Sequence, residues 1–293
     1  MRVTTDQGLS VNFNGLSIGL DHQQSSNNLV FISHAHTDHL VKNPRKPIIT
    51  SGLTASLASL RVNSDYELVD LPGASLIESG HVLGGKSLFL DGAERLLYTG
   101  DFSPHDRFFL KGLKPVKCDT LVIETTYGLP DYDFPDPLSV LLEARKIIQQ
   151  DLFRGDRVVL WGYAFGKAQL LMKLVEGLGP LFADEQVRAI NSVCRSHGFD
   201  LLKAKPFSND FRGLYITSNR RELNRFTADR VYSFTGWGAR GVSNCFRVSD
   251  HASFSDLLRF VKGCNPQRVY CHHGFSEEFA SLLRVEGFDA LAI

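Results

Sequence analysis

Short runs of apolar residues recur along the chain, and several of them end abruptly in polar side chains. These runs lie at residues 29–32, 96–99, 120–123, 158–161 and 268–271. Continuous apolar runs of this kind are typical of strands buried on both faces of a sheet. Helical spacing of apolar residues is found at 138–150, 167–178, 254–263 and 277–286. The pattern predicts an α/β fold, with reactive side chains placed directly after strand ends.

The composition adds few constraints on function. The chain has 293 residues, of which 43% are hydrophobic and 22% charged, as in ordinary globular proteins. Its 32 basic and 32 acidic residues cancel, which argues against non-specific coating of nucleic acid but allows a local basic groove. The five cysteines are scattered without a C-x-x-C pair, so we expect neither a disulfide framework nor a cysteine zinc site.

No segment has the features of a targeting or membrane sequence. The first 20 residues lack a long apolar run after a basic start. No stretch approaches the roughly 18 consecutive apolar residues of a membrane helix. We therefore expect a cytoplasmic protein without membrane contact.

The strongest chemical signal is the segment His34-Ala35-His36-Thr37-Asp38-His39, directly after the first apolar run. Imidazole nitrogen and carboxylate oxygen are the ligands that zinc favours. In a tight loop, His34 and His36 can point to one side while Asp38 and His39 point to the other. One loop can then serve two metal ions.

This H-x-H-x-D-H segment resembles the signature of the metallo-β-lactamase superfamily. The resemblance implies further ligands in a fixed order along the chain. His81, in the segment 79–84, matches the next ligand, and Asp101, in Thr99-Gly100-Asp101, matches the aspartate that bridges two metals. Asp21 matches an early aspartate that supports the histidine loop without binding metal itself.

Three later segments resemble the motifs of the β-CASP nucleases within that superfamily. Glu124, in the segment 123–128, matches motif A, and His251, in Ser249-Asp250-His251, matches motif B. His273, directly before Gly274, matches motif C, so we expect the neighbouring His272 to be incidental. Most of the chain is similar to the ligase-associated DNA exonucleases, a compact β-CASP group related to Artemis-type and RNA-processing enzymes.

The resemblance implies a domain organisation as well as a site. It predicts a metallo-β-lactamase αββα sandwich formed by residues 1–130 and 246–293. A compact β-CASP α/β domain is expected as an insert at residues 131–245.

The resemblance implies two Zn²⁺ ions per chain, although the same ligands also accept Mn²⁺. We assign one ion to His34, His36, His81 and His273, with Asp101 bridging, and the other to Asp38, His39, Asp101 and His251. A hydroxide shared by the metals is expected to attack phosphorus and give 5′-phosphate products. Glu124 is expected to orient His251, which assists the leaving oxygen, so the catalytic residues are Asp38, Glu124 and His251.

Candidate substrate contacts lie in the predicted insert. Gly166 and Lys167 precede a helix, where backbone N–H groups and a positive charge can hold a phosphate. Arg240 is a second candidate contact. The basic residues Arg220, Arg221, Arg225 and Arg230 are open to two interpretations, phosphate contacts or a solvated face. Trp237 is expected to lie in the core rather than to stack on a base.

The motifs favour DNA over RNA as substrate. An acidic residue before the motif B histidine, here Asp250, is common in the DNA enzymes, whereas a motif C histidine, here His273, is common in RNA-processing members. The ligase-associated group combines both. We therefore predict a DNA exonuclease in repair or end processing, with a DNA ligase or helicase as partner. The alternative is an RNA 3′-end processing endo- or exoribonuclease.

Two further alternatives account for the sequence less well. A small-molecule hydrolase of the same superfamily leaves Glu124, His251 and the insert unexplained. A non-catalytic subunit is disfavoured because every ligand position is filled.

Overall fold

The computed structural model describes residues 2–5, 8–224, 228–237 and 244–293. The chain divides into two compact units. Unit 1 comprises Met1–His105, Leu110–Asp133 and His251–Ile293, and unit 2 comprises Asp106–Phe109 and Phe134–Asp250. The divisions thus follow residues 133 and 250 rather than 130 and 245, and a short segment of the first half belongs to unit 2. The predicted assignment of the two domains to named types stays a prediction.

The described residues form 17 strands and six α-helices. The strands are β1 Arg2–Thr4, β2 Ser10–Phe13, β3 Leu16–Leu20, β4 Leu29–Phe31, β5 Ile48–Ile49, β6 Ala74–Glu78, β7 Lys86–Asp91, β8 Arg95–Tyr98, β9 Thr120–Glu124, β10 Val158–Trp161, β11 Leu181–Ala183, β12 Lys205–Pro206, β13 Leu214–Thr217, β14 Arg230–Phe234, β15 Asn244–Phe246, β16 Arg268–His272 and β17 Asp289–Ala292. The α-helices are α1 Gly52–Val62, α2 Pro137–Phe153, α3 Lys167–Leu174, α4 Glu185–Ser196, α5 Phe254–Cys264 and α6 Ser276–Val285.

Unit 1 contains two mixed β-sheets. The first has the strand order β1-β2-β3-β4-β5, and the second has the order β17-β16-β9-β8-β7-β6. In the second sheet, β8, β9, β16 and β17 run parallel, while β7 runs antiparallel to both β6 and β8. The carboxyl ends of β6, β8, β9 and β16 therefore lie at the same edge.

The alternation of side chains along the second sheet builds two cores in unit 1. On β8, Leu96 and Tyr98 pack with Phe31 of the first sheet, in a core between the two sheets. Leu97, between them in sequence, packs with Phe260 of α5 and Leu283 of α6 on the opposite face. One face of the second sheet therefore packs on the first sheet, and its other face packs on α5 and α6. This arrangement confirms the predicted α/β class.

Unit 2 is built on one six-stranded sheet with the order β12-β11-β13-β10-β14-β15. All of its strand pairs are parallel. The connection from β10 to β11 contains α3 and the connection from β11 to β12 contains α4, as parallel strands require long crossovers. In the ranges that the structure describes, no helix combines the length and apolar character needed to cross a bilayer.

Candidate metal centre

The predicted ligands of unit 1 lie just beyond strand ends. The histidine loop follows β4, Asp101 follows β8, Glu124 is the last residue of β9, and His273 follows β16. Close approach between these loops requires glycine at one position. Gly100 has φ +53°, and a Cβ atom there would lie 2.6 Å from the Cβ of Ser33. The loop that carries Asp101 therefore packs against the start of the histidine loop.

Three imidazoles and one carboxylate form a first group of donors. The Nε2 atom of His34 lies 2.9 Å from Nδ1 of His36, and Nε2 of His81 lies 3.2 Å from the same atom. Asp101 Oδ2 is 3.6 Å from His34 Nε2 and 3.7 Å from His81 Nε2. These four side chains could hold one metal ion.

The electrostatics of the first group fit a metal such as zinc. Burial and the neighbouring histidines His39, His36 and His81 lower the pKa of His34 well below its ordinary value. His34 is therefore neutral and offers a lone pair, as a metal ligand must. Three inward-facing ring nitrogens beside a carboxylate match the donor set that zinc prefers.

A second group shares Asp101 with the first. His39 Nε2 lies 3.5 Å from Asp101 Oδ2 and 3.7 Å from Asp38 Oδ2. Burial lowers the pKa of His39, but the negative charges of Asp101 and Asp21 outweigh that effect and raise it to about 10. The surrounding carboxylates thus favour positive charge at this position. The side chain of Asp38 is 79% exposed, so this group opens to solvent.

The rings of His273 and His251 lie beside different histidines from those predicted to share their metal ions. The ring of His273 lies beside that of His39, with centroids 5.7 Å apart, and so joins the second group. The ring of His251 lies 4.5 Å from that of His81, on the other side of the centre. These ring contacts favour His273 with the second group and His251 nearer the first, and the assignment of both histidines to ions stays a prediction. The sequence could not show on which side of Asp101 each ring would lie.

Asp21 supports both donor groups. Its carboxylate accepts hydrogen bonds from the backbone N–H and hydroxyl of Ser33, both at 2.6 Å, and from His39 Nδ1 at 2.9 Å. Tyr98 of the second sheet adds a fourth bond at 2.7 Å. Burial raises the pKa of Asp21, but His39 and Ser33 more than offset this and leave the pKa lowered. The ionised carboxylate is therefore the stable form.

The bonds of Asp21 determine the tautomers of two ligands. His39 donates its Nδ1–H to Asp21, so Nε2, facing Asp101, is the nitrogen that can offer a lone pair. Because the pKa of His39 is raised, a metal ion must displace the Nε2 proton to bind there. The Ser33 hydroxyl donates to Asp21 and so accepts from His34 Nδ1, at 2.9 Å. His34 then also carries its lone pair on Nε2. One carboxylate orients a ligand of each donor group, directly or through Ser33.

Buried Glu124 and partly exposed His251 form a pair beside the centre. His251 Nδ1 lies 2.9 Å and 3.0 Å from the two carboxylate oxygens of Glu124. Glu124 also accepts from the backbone N–H of Phe102 at 2.8 Å and from the Thr126 hydroxyl. Burial raises the pKa of Glu124, but His251 and these hydrogen-bond donors have the larger effect and leave the pKa lowered. The carboxylate is therefore ionised. Glu124, His251 and Asp101 also form a second cluster of possible metal donors.

His272 and His105 lie outside the two donor groups. His272 is buried and its ring packs 5.4 Å from that of Tyr98. Burial and the neighbouring His273 lower the pKa of His272 to about 3, so it is neutral. Outside the centre, His105 Nε2 bonds Asp256 Oδ2 at 2.8 Å.

In unit 2, the groups predicted to bind phosphate form hydrogen bonds with other residues of the unit. Lys167 is 2% exposed, and its ammonium donates to the carbonyl of Val248 at 3.0 Å and to Asp250 Oδ1 at 2.8 Å. Gly166 has φ +91°, and its N–H donates to the side chain of Gln169 at 2.7 Å. Their role in substrate binding stays a prediction. The geometry gives Lys167 a role in holding the segment 248–250, whereas Gly166 bonds within the start of α3.

Sequence reasoning missed the second cation of this network. Arg107 is fully buried in unit 2 and donates to the carbonyl of Ser249 at 3.0 Å and to Asp250 Oδ1 at 2.8 Å. It comes from Asp106–Phe109, a segment that carries no motif. Two buried cations thus fix one carboxylate of motif B. Ser33 and Tyr98, which bond Asp21, were also missed, although their positions at strand ends were visible.

The remaining predicted contacts of unit 2 have mixed outcomes. Arg240 and Arg225 lie outside the described residues. Arg230 Nε bonds Asp156 Oδ2 at 3.1 Å, which gives it a structural partner. Trp237 is exposed, so the expectation of a core tryptophan is wrong.

This chain is similar to known proteins in sequence and in structure. No family model matches the chain. A probable DNA ligase from Opitutus terrae is 33% identical over 290 residues, which cover 90% of this chain and 28% of that protein. The DNA cross-link repair 1A protein of Gallus gallus is 26% identical over 292 residues, covering 82% of this chain and 29% of that protein. This chain belongs to the β-CASP nucleases of the metallo-β-lactamase superfamily.

These similarities cover only part of each relative, so they do not establish the activity or the substrate of this chain. The chain spans less than a third of the length of either relative. A crystal structure of a protein of unknown function from Enterococcus faecalis V583 shares the fold, with a TM-score of 0.60 at 15% sequence identity. That similarity covers 88% of this chain and 78% of the other. As expected of a β-CASP protein, the site has the donors for a divalent metal.

We predict that Asp21→Asn weakens metal binding by about 10- to 100-fold, because the amide cannot accept all the bonds that orient His39 and Ser33. Competition with a fluorescent zinc chelator measures the affinity. Asp256→Asn is the matched control, since it alters another buried carboxylate of unit 1 that bonds a histidine, His105. Equal metal affinity in the two variants would show that Asp21 does not support the centre.

Proposed function

We propose that this chain is a zinc-dependent phosphodiesterase that hydrolyses nucleic acid, and more specifically a DNA exonuclease of repair or end processing. One observation carries the proposal. Two donor groups that share Asp101 lie beside the pair Glu124–His251, all within unit 1. Paired metal donors next to an oriented imidazole are the groups that phosphodiester hydrolysis requires.

The donor groups are suited to two Zn²⁺ ions. One would be held by His34, His36, His81 and Asp101, and the other by Asp38, His39, Asp101 and His273. When bound, paired zinc ions supply Lewis acidity and lower the pKa of water to about 7. The same ligands also accept Mn²⁺.

The side chains of unit 1 account for the proton that the reaction must deliver. Hydrolysis forms a bond from a water oxygen to phosphorus and breaks the bond from phosphorus to the 3′ oxygen. The departing oxygen needs a proton. His251 is bonded to Glu124 through Nδ1, so Nε2 is the atom that can donate it. The ionised Glu124 stabilises the protonated imidazole before the transfer. The products are a 5′-phosphate and a 3′-hydroxyl.

Several features favour DNA as the substrate. Asp250 before His251 and His273 at motif C form the combination of the ligase-associated β-CASP group. The two relatives are named for DNA ligation and DNA cross-link repair. Ends with a 5′-phosphate and a 3′-hydroxyl are the ends that a ligase joins, so we propose a DNA ligase as a functional partner. We place this reaction in the cytoplasm.

We predict that the wild-type chain with zinc shortens end-labelled DNA progressively and that Asp38→Ala abolishes this cleavage. Time-resolved gels of single-stranded and duplex DNA and RNA measure the products. Asp200→Ala is the matched control because Asp200 is an exposed carboxylate of unit 2, and it should cleave like the wild type.

The assay also separates the alternatives. Faster cleavage of RNA than of DNA at equal length would favour an RNA-processing enzyme. Internal cuts on DNA whose two ends are blocked would contradict the assignment as an exonuclease. Absence of cleavage on every substrate with metal present would contradict the proposed function.

We predict that Glu124→Gln lowers kcat by about 100-fold or more while KM changes little, since His251 loses the charge that stabilises its protonated form. The loss should grow smaller on a substrate with a good leaving group, such as a p-nitrophenyl phosphodiester, because that leaving group needs no proton. Glu78→Gln, on the exposed β6, is the control. Equal losses on both substrates would contradict a role in proton delivery.

A further inference from the structure

Unit 2 exposes two aromatic side chains at one edge of its sheet. Tyr163 is 58% exposed and Trp237 is 52% exposed. Tyr163 follows β10, and Trp237 follows β14, which is the parallel neighbour of β10. In the register of this pair, Trp161 lies opposite Ser233. The segments that follow β10 and β14 therefore both leave the sheet at its carboxyl edge. The two strands are about 4.8 Å apart where they end.

The same edge contains the point at which the strand order reverses. From β10 the chain passes β13 to reach β11, whereas from β13 it passes β10 in the opposite direction to reach β14. The connections that follow these two neighbouring strands therefore run in opposite directions across the sheet. Open parallel sheets bind ligands in the crevice outside the carboxyl ends of such strands. Tyr163 follows one of these two strands.

Positive charge is held at the other strand of the crevice. Arg220, three residues past the end of β13, places its guanidinium 5.7 Å from the ring centroid of Trp161. The acidic groups nearby serve the fold. Asp184 accepts from the backbone N–H of Ser218 at 2.6 Å, and Glu222 accepts from the Thr217 hydroxyl at 3.0 Å.

We propose that Tyr163, Arg220 and Trp237 form a platform that binds single-stranded nucleic acid. The two rings stack on successive bases, and the Arg220 guanidinium, on the β13 side of Tyr163, contacts the backbone phosphate that flanks the base on Tyr163. Aromatic rings bind any base through its face, and arginine adds a charge contact with the backbone. A protein surface would be a poorer partner, since flat rings beside an arginine match the alternating base and phosphate. The inference rests on the proposed function and names where its substrate is held.

The test measures binding separately from cleavage. With EDTA present to prevent hydrolysis, fluorescence anisotropy of labelled single-stranded oligothymidylate gives the Kd. We expect Tyr163→Ala and Trp237→Ala each to weaken binding about tenfold, whereas Tyr163→Phe and Trp237→Phe keep most of the affinity. Phe153→Ala is the matched control. Phe153 is 93% exposed at the end of α2, before β10 begins, and therefore at the amino edge of the same sheet.

A second readout reports stacking itself. The chain has two tryptophans, so Trp161→Phe leaves Trp237 as the single emitter. Oligothymidylate should quench the fluorescence of this variant. No quenching, with the alanine variants binding as tightly as Phe153→Ala, would overturn the platform even if the wild type cleaves DNA. Quenching and weakened binding without any cleavage by the wild type would keep the platform and contradict the proposed nuclease.

Discussion

The metal centre depends on one buried carboxylate that controls where two imidazoles carry their protons. Asp21 bonds His39 directly and His34 through Ser33, so Nε2 of both rings faces the same space and is the nitrogen available to a metal ion. A ring nitrogen that carries a proton cannot bind a metal. The two donor groups meet at Asp101, and each has a ligand whose tautomer follows from Asp21. The charge of Asp21 is therefore a condition for both.

The sandwich of unit 1 makes this arrangement possible. Asp21 follows β3 of the first sheet, while Tyr98, which also bonds it, ends β8 of the second. The core between the sheets includes Phe31 and Leu96, from the strands that lead into the histidine loop and Asp101. Packing between the sheets thus brings their loops together, and polar side chains occupy the edge where the strands end. The stability of the core and the geometry of the centre are linked.

Much of the site could be predicted from sequence because its ligands follow buried strands in a short, ordered set of motifs. The pairing of Glu124 with His251 was predictable for the same reason, and the structure brings the two together. The positions of His251 and His273 relative to Asp101 could not be predicted, because loops after different strands reach the centre from different sides.

Burial of charge was the least predictable feature of unit 2. Lys167 in a glycine-containing loop suggested a phosphate site, yet its ammonium lies beside Asp250. Its partner cation, Arg107, is distant in sequence and belongs to no pattern. A glycine-rich loop with a lysine has the same composition whether the charge faces solvent or a buried carboxylate. Trp237 shows the converse, because an apolar residue after a strand was expected in the core and is exposed.

Anomalous X-ray diffraction at the zinc edge, from crystals of zinc-loaded protein, tests the central claim most directly. The account predicts two peaks about 3.5–4 Å apart, with Asp101 between them. One peak should lie among His34, His36 and His81, and the other near Asp38, His39 and His273. Absence of peaks at these residues, in protein shown to be folded and exposed to zinc, would contradict the account.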